Sequence, residues 1–191
     1  MTVTRMTLGD RRQRLLQAAV GVVAQNGVNA ATTRAIVASA GMPLASFHHV
    51  FESHENLLMQ VMIAMMDKDR GIHDGIDLHG DSQFDVVTNA LHQHLDDVIV
   101  RIDDYQALRE LIHHALRNGQ AEIARQWQLT RVQRVRDKLN GYGADRGLRW
   151  TMDLARLAGA VVMAADGVAY GYMLSRNADS ARAEIEHLVQ A

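Results

Sequence analysis

Residues 32–58 read TTRAIVASAGMPLASFHHVFESHENLL, and this stretch decides the fold. It predicts a helix at about Thr33–Ala40, a turn centred on Gly41 and a second short helix at about Pro43–Val50. Gly41 is suited to the turn because glycine adopts positive φ without a steric cost. Two short helices joined in this way form a helix-turn-helix, which places its second helix in the major groove of duplex DNA.

Helical spacing of apolar residues continues on both sides of this motif. Leu15, Ala19 and Val23 share one stripe, and Asn26-Gly27 provides a stop, which together predict a first helix at about Asp10–Gln25. Further helices are predicted at about residues 53–70, 82–101, 105–117, 120–139, 150–175 and 180–190. About nine helices and no convincing strand predict an all-α protein.

Composition and charge agree with a globular chain that has a DNA-binding end. Up to Leu58 the sequence holds five arginines and three acidic residues, a net charge of +2, and the remainder carries −4. This asymmetry fits a DNA-reading head on a body that does not bind DNA. The absence of cysteine fits a reducing compartment, and we expect a cytoplasmic protein.

The segment from about Arg12 to Leu58 resembles the DNA-binding head of the tetracycline-repressor (TetR) family. The matching features are Ala18-Ala19, Gly27, Thr32, Ile36, Ala40-Gly41, the Pro43–Phe47 segment, Phe51, Ser53 and Leu57-Leu58. The resemblance implies a three-helix DNA-binding head at residues 1–55. A helical body for effector binding and dimerisation would then occupy residues 56–191.

By this resemblance the chain is a transcriptional regulator, a repressor that a small-molecule effector releases from a palindromic operator in double-stranded DNA. The residues expected to contact DNA are Thr33, Arg34, Pro43, Leu44, Ala45, Ser46, His48, His49 and His54. Three of them depart from the family pattern. Leu44 and His54 stand where the family most often has lysine, and His48 stands where a tyrosine usually touches the DNA backbone.

The body is expected to hold an apolar or aromatic effector and to form a homodimer. Methionines on the fourth helix can line an effector pocket or simply fill the core. The candidate pocket residues are Met62, Met66, Leu91, Leu95, Leu111 and Trp127. In the family the last two long helices usually form a four-helix dimer interface, for which the candidates are Val161, Ala165, Val168, Tyr172, Ile185 and Leu188.

One apolar run, Leu157–Leu174, approaches the length of a membrane-spanning helix. Its single charge, Asp166, lies near the middle, where insertion of a carboxylate costs roughly 2.5–3.5 kcal/mol. We therefore favour a helix buried on most sides and expect no membrane partner.

Other chemistries find little support in the sequence. The ten histidines invite a metal reading, but only one di-metal type spacing occurs, Glu184-x-x-His187, and no group has zinc spacing. No nucleophile elbow or phosphate-cradling loop is present. We expect no metal, no cofactor and no enzyme activity. The main alternative is a helical homodimeric interaction module whose head binds DNA weakly or not at all.

Overall fold

The computed structural model describes residues 6–190, so Arg5, one of the five arginines counted above, lies outside the described residues. Within that range the chain forms nine α-helices, a 3₁₀ turn at Val28–Ala30 and no β-strand. The helices are α1 (Leu8–Asn26), α2 (Thr33–Ser39), α3 (Leu44–His48), α4 (His54–Gly75), α5 (Gln83–Val100), α6 (Ile102–Arg117), α7 (Ala121–Arg146), α8 (Leu154–Ser175) and α9 (Ala178–Gln190). The predicted all-α fold is confirmed.

Side-chain caps fix the starts of the helices around the motif. The Thr32 hydroxyl accepts the Ala35 N–H at 3.2 Å, and the Ser53 hydroxyl accepts the Asn56 N–H at 3.0 Å. Thr32 and Ser53 are therefore the N-caps of α2 and α4. Helix α3 begins one residue later than predicted. Pro43 has a φ of −69° and a ψ of 150°, which place it at the N-cap position rather than in the first turn of α3.

Helix α4 continues past its predicted end because its last turn is capped from elsewhere in the chain. The helix was predicted to end near residue 70, yet it includes Gly71 and ends at Gly75. The Lys138 ammonium donates to the carbonyl of Asp74 at 3.0 Å and also to the carbonyl of Ile76. These bonds satisfy C-terminal carbonyls that a helix leaves without partners, which offsets the low helix propensity of glycine.

The connection between α7 and α8 also differs from the prediction. Helix α7 continues to Arg146, and Gly143 lets the Trp150 indole pack directly on its backbone. A Cβ at position 143 would lie 2.5 Å from Trp150 Nε1. Helix α8 begins later than predicted because the Asp153 carboxylate accepts two backbone N–H groups of its first turn, each at 3.1 Å.

The helices pack into two compact units. The head unit contains the residues up to Asp69 together with Asp103–Ala121, and the body unit contains Arg70–Ile102 together with the residues from Glu122 onward. Packing thus adds most of α4 and all but the first residue of α6 to the DNA-binding head. The functional division at residue 55 stays a prediction.

Polar contacts join α6 to the rest of the head unit. The Glu110 carboxylate accepts the Val28 N–H at 2.8 Å, at the end of α1. His114 Nε2 lies 2.8 Å from the Glu55 carboxylate at the start of α4. Helix α6 is therefore attached to both sides of the helix-turn-helix segment of the chain.

The core of the body unit contains half of the residues that were predicted to form the dimer interface. Ala165, Val168 and Ile185 are 8% exposed or less and pack with Leu91 and Leu95. These three side chains therefore fill the core of the protomer, and their part in a dimer interface stays a prediction that this packing does not support. Helix α8 is apolar on several sides, so its periodicity does not reveal which side faces its own unit.

The outer side of α8 remains exposed and apolar. Met163, Tyr170 and Leu174 are 67%, 55% and 71% exposed, and Leu188 on α9 is 53% exposed. By length and composition alone α8 could cross a membrane, with a mean hydropathy of 1.4 over 18 residues. We call the row Ala160, Met163, Gly167, Tyr170 and Leu174 the α8 stripe. Of the remaining interface candidates, Val161 and Tyr172 are half-buried and Leu188 is exposed.

Candidate DNA-binding surface

The turn between α2 and α3 has the predicted geometry. Gly41 has a φ of +62°, in the left-handed region that favours glycine. The next residue, Met42, donates its N–H to the Val37 carbonyl at 2.9 Å and so closes the turn. Ala40 is only 3% exposed, so a small side chain is needed where the two helices meet.

Aromatic packing anchors the inner side of α3. Phe47 is 2% exposed, and its ring lies 5.6 Å from the ring of Phe51. The Arg12 guanidinium lies 5.0 Å from the centre of the Phe51 ring and donates to the Val50 carbonyl at 3.2 Å. The cation–π contact and the hydrogen bond attach the segment just after α3 to α1, and together with the buried Phe47 they hold α3 in a fixed orientation.

The opposite side of α3 faces solvent. Leu44, Ala45, His48 and His49 are exposed, as is Pro43 just before the helix. Positions separated by one, four and five residues lie within one half of a helix surface, so these side chains form a single face. We call these five residues the α3 face. The structure thus places five of the nine predicted DNA contacts together.

Ser46 does not belong to this face. It lies about 200° around the helix axis from Leu44 and is 7% exposed, beside the buried Phe47. The expectation that Ser46 projects toward DNA is wrong. Its residue type misled the prediction, because serine usually lies on the surface and α3 is too short for its periodicity to show an inner side.

His54 is half-buried and already bonded within the head unit. Its Nε2 lies 2.6 Å from the Ala31 carbonyl oxygen, and because a carbonyl only accepts, this nitrogen donates the hydrogen bond. His54 therefore links the start of α4 to the residue before the Thr32 cap. Because this nitrogen already donates to the Ala31 carbonyl, it is not available for the expected contact with a DNA phosphate.

Arginines supply the positive charge around the α3 face. Arg34 is exposed in the first turn of α2, next to the half-buried Thr33. A nitrogen of the Arg14 guanidinium lies 3.4 Å from the Cβ position of Gly41, which places this cation over the turn. These two guanidinium groups are suited to contacts with DNA phosphates, which position a protein on the duplex without reading its sequence.

The predicted effector residues do not line one cavity. Leu91 lines two cavities of the body unit, and Trp127 lines a third. The remaining four are 5% exposed or less and act as packed core: Met62, Met66, Leu95 and Leu111. The packing supports the interpretation that the methionines of helix α4 fill the core.

The histidines of the body unit form hydrogen bonds and ion pairs. His92 Nε2 lies 2.8 Å from the Glu186 carboxylate, and His187 Nδ1 lies 2.7 Å from the Ala183 carbonyl. Across the described part of the chain, no three His, Cys, Asp or Glu side chains are grouped so that they could hold a metal ion.

The bond from Glu110 to Val28 could not be predicted, because these residues are 82 positions apart. The residues of α7 that line the cavities could not be predicted either, because polar residues are spread almost evenly around this helix.

Residues 15–61 match the profile of the tetR family of bacterial regulatory proteins. No curated protein matches the chain closely enough to count as a relative.

Solved structures share the fold along nearly the whole chain. A TetR transcription regulator from Haloarcula marismortui superimposes with a TM-score of 0.74 at 17% identity, covering 95% of this chain and 97% of that one. A transcriptional regulator from a Rhodococcus species gives 0.73 at 18% identity and 94% coverage of each chain. The multidrug-binding protein EbrR, in complex with imidazole, gives 0.67 at 21% identity, with 94% and 89% coverage.

The fold and the exposed α3 face define a helix-turn-helix DNA-binding protein with a helical body. The chain thus carries a segment that matches the tetR family of bacterial regulatory proteins, and it has the fold of TetR-like transcription regulators.

Proposed function

We propose that the chain is a homodimeric repressor that binds a palindromic operator and leaves it when a small molecule binds. The observation that carries the proposal is the α3 face, an exposed row of side chains on a helix whose other side is fixed by Phe47 and Arg12. A helix held in this way can enter the major groove without losing its packing.

Reading of the sequence would depend on a few side chains. His48 and His49 carry the polar groups of the α3 face, and Leu44 and Ala45 offer apolar contact to thymine methyl groups. Arg14 and Arg34 would hold the phosphates on either side. Both arginines belong to the head unit, so their positions relative to α3 are fixed by its packing.

The homodimer is proposed from the α8 stripe. A row of exposed apolar residues on a long helix is unusual in a protein that stays monomeric. Beside it a groove of about 560 Å³ runs between α5, α8 and α9, and its walls include Phe84, Leu157 and Leu188. A second copy that packs on the stripe would cover this apolar surface, and two-fold symmetry would present two α3 faces to a palindrome.

Release by an effector is proposed from the end of α4. This helix runs without a break from His54 to Gly75, and its last carbonyls are bonded to Lys138 on α7. Two cavities of the body unit adjoin these residues. A ligand there that prefers one position of the α4 end would shift the population between a DNA-binding state and a released state.

A second function is favoured by one observation. The two lysines usual in the family are replaced by Leu44 and His54, and His54 Nε2 is bonded to the Ala31 carbonyl. Fewer phosphate contacts mean weaker binding at physiological salt. A helical homodimer that acts through protein partners, with a head that binds DNA only weakly, is therefore the alternative.

Fluorescence anisotropy with the duplex from upstream of the protein's own gene separates the two. A repressor should prefer that duplex over a scrambled one of equal length by at least about 1,000-fold, and it should saturate at two protomers per site. Equal and weak affinity for both duplexes would contradict the repressor and favour the interaction module.

A further inference from the structure

Two neighbouring histidines lie at the C-terminal end of α3. His48 is the last residue of the helix, and His49 follows it as the C-cap. Both side chains are exposed, and the other three residues of the α3 face are a proline, a leucine and an alanine. The charge that the α3 face presents to DNA is therefore set by the protonation of two imidazoles.

The ring nitrogens of both histidines are available to a ligand. The His48 ring meets the buried Phe47 ring edge to face, with 5.5 Å between the ring centres and an angle of 83° between the planes. Among the described residues, no hydrogen bond or ion pair involves a ring nitrogen of His48 or His49. A ligand on the α3 face would therefore not have to displace a partner within the protein.

Two other histidines of the head unit are already bonded. His54 Nε2 donates to the Ala31 carbonyl at 2.6 Å, and His114 Nε2 lies 2.8 Å from the Glu55 carboxylate. Their ring nitrogens hold elements of the head together. The pair on α3 has no such structural role for its nitrogens.

The charged groups on the elements around α3 do not include a carboxylate bonded to either imidazole. Helices α1 and α2, the segment after α3 and the first turn of α4 carry Asp10, Arg11, Arg12, Arg14, Arg34, Glu52 and Glu55. The Asp10 carboxylate is bonded to the Thr7 cap, and the Glu55 carboxylate to His114. Glu52 is exposed. An anion that favours the charged form of the α3 histidines must therefore come with the ligand.

Duplex DNA is such a ligand. It carries one phosphate charge per ~1.7 Å of its axis, which favours cations at its surface. A neutral imidazole has one donor and one acceptor, whereas a charged imidazole has two N–H donors and no acceptor. Phosphate oxygens are acceptors, and so are N7 and O6 of guanine in the major groove. Protonation thus converts each imidazole into a group that matches these acceptors with both nitrogens.

We infer that α3 binds DNA with His48 and His49 in their charged form, so that the complex takes up protons as it forms and both imidazoles donate to acceptors of the duplex. The inference rests on the proposed function, since it concerns the same surface. The affinity for DNA should rise as the pH falls from 8 to 6, because histidine changes its charge in this range. Occupancy of the operator would then depend on the acidity of the compartment as well as on an effector.

Fluorescence anisotropy at pH 6 and pH 8 tests the inference, with the duplex from upstream of the protein's own gene and a scrambled duplex at one low salt concentration. The wild type should bind the upstream duplex at least about fivefold more tightly at pH 6 than at pH 8. A smaller gain would mean that the histidines bind in their neutral form, which would overturn the inference.

Glutamine substitutions separate charge from hydrogen bonding. Glutamine has donors and an acceptor but cannot become charged, so a chain with both His48→Gln and His49→Gln should lose the gain at pH 6. His113→Gln is the matched control, because His113 is an exposed histidine of α6 outside the α3 face. It should keep the gain of the wild type. A gain that survives in the double variant would place the titrating groups elsewhere and overturn the inference.

The two duplexes distinguish the acceptors. A gain of equal size for the upstream and the scrambled duplex is expected if the imidazoles donate to phosphates, which every sequence provides. A gain confined to the upstream duplex is expected if they donate to base edges such as guanine N7 and O6. Both results support binding in the charged form.

Calorimetry counts the protons directly. The enthalpy of binding to the upstream duplex at pH 7, measured in buffers with different enthalpies of ionisation, gives the number of protons taken up. The wild type should take up protons and the double glutamine variant should take up fewer, with circular dichroism to show that both are folded. No uptake by the wild type, or equal uptake by the two proteins, would overturn the inference.

The same measurements keep this inference separate from the proposed function. Equal affinity for the two duplexes, with a gain at pH 6 that the double variant loses, would contradict the operator-specific repressor and leave the inference standing. A strong preference for the upstream duplex that does not change with pH would do the reverse. A chain that binds neither duplex at pH 6 and low salt would overturn both.

Discussion

Single residues decide where the backbone can turn and where another side chain can approach it. Gly41 was visible in the sequence because it interrupts two short helical patterns, and its φ of +62° agrees. The contact at Gly143 could not be predicted, because the indole that packs on it lies in the loop after the helix. Ser46 was misread, because whether one short polar side chain points inward depends on packing that the sequence does not show.

Two glycines of α7 make this argument testable. Gly143→Ala should destabilise the protein by roughly 1–2 kcal/mol, since its Cβ would lie 2.5 Å from Trp150 Nε1. Gly141→Ala meets no atom within 4 Å and should stabilise the same helix by about 0.5–1 kcal/mol.

Urea unfolding of both variants at one protein concentration measures the difference in the free energy of unfolding. Changes of the same sign for the two substitutions would show that helix propensity, and not the contact with Trp150, dominates at position 143.

Helices were predicted well as elements and less well at their ends and faces. Periodicity and caps gave every helix of the described chain, with N-caps at Thr32 and Ser53. The end of α4 was missed because a distant group, the ammonium of Lys138, bonds to its last carbonyls. The buried face of α8 could not be told from its exposed face, because Ala165 and Val168 are as apolar as the residues that stay exposed.

The exposed side of α8 carries the next prediction. Met163→Asp or Leu174→Asp should convert a homodimer to monomers, because either change would bury an unpaired carboxylate in the interface. Leu129→Asp is the control, since this leucine is 54% exposed on α7 and lies outside the α8 stripe.

Light scattering at micromolar concentration gives the mass directly, with circular dichroism to show that each variant is folded. The wild type and the Leu129 variant should have twice the chain mass of 21.2 kDa. A folded wild-type monomer would contradict the homodimer, and so would dimers that survive both changes to the stripe.

The head could be recognised from the sequence, whereas the packing of the body could not. The DNA-binding segment was recognisable because its turn, caps and small core lie within one short stretch. The body depends on contacts between residues far apart, such as Arg131 with Asp166, and neither these contacts nor the attachment of α6 to the rest of the head unit could be predicted.

The most direct test concerns the α3 face, and it compares the affinity for the operator with the affinity for a scrambled duplex. Replacing His48 and His49 together by alanine should lower operator affinity at least about 30-fold, since each of the two lost base contacts costs roughly 1–3 kcal/mol. Affinity for the scrambled duplex should change much less. His113→Ala, an exposed histidine of α6 in the same unit, should leave both values unchanged.

The deciding quantity is the ratio of the affinity for the operator to the affinity for the scrambled duplex. Both are measured by anisotropy at fixed salt and pH, and helicity is checked for each variant. A ratio that falls only in the α3 variant is the result we predict. A ratio equal to that of the wild type would contradict the assignment of α3 as the helix that reads DNA.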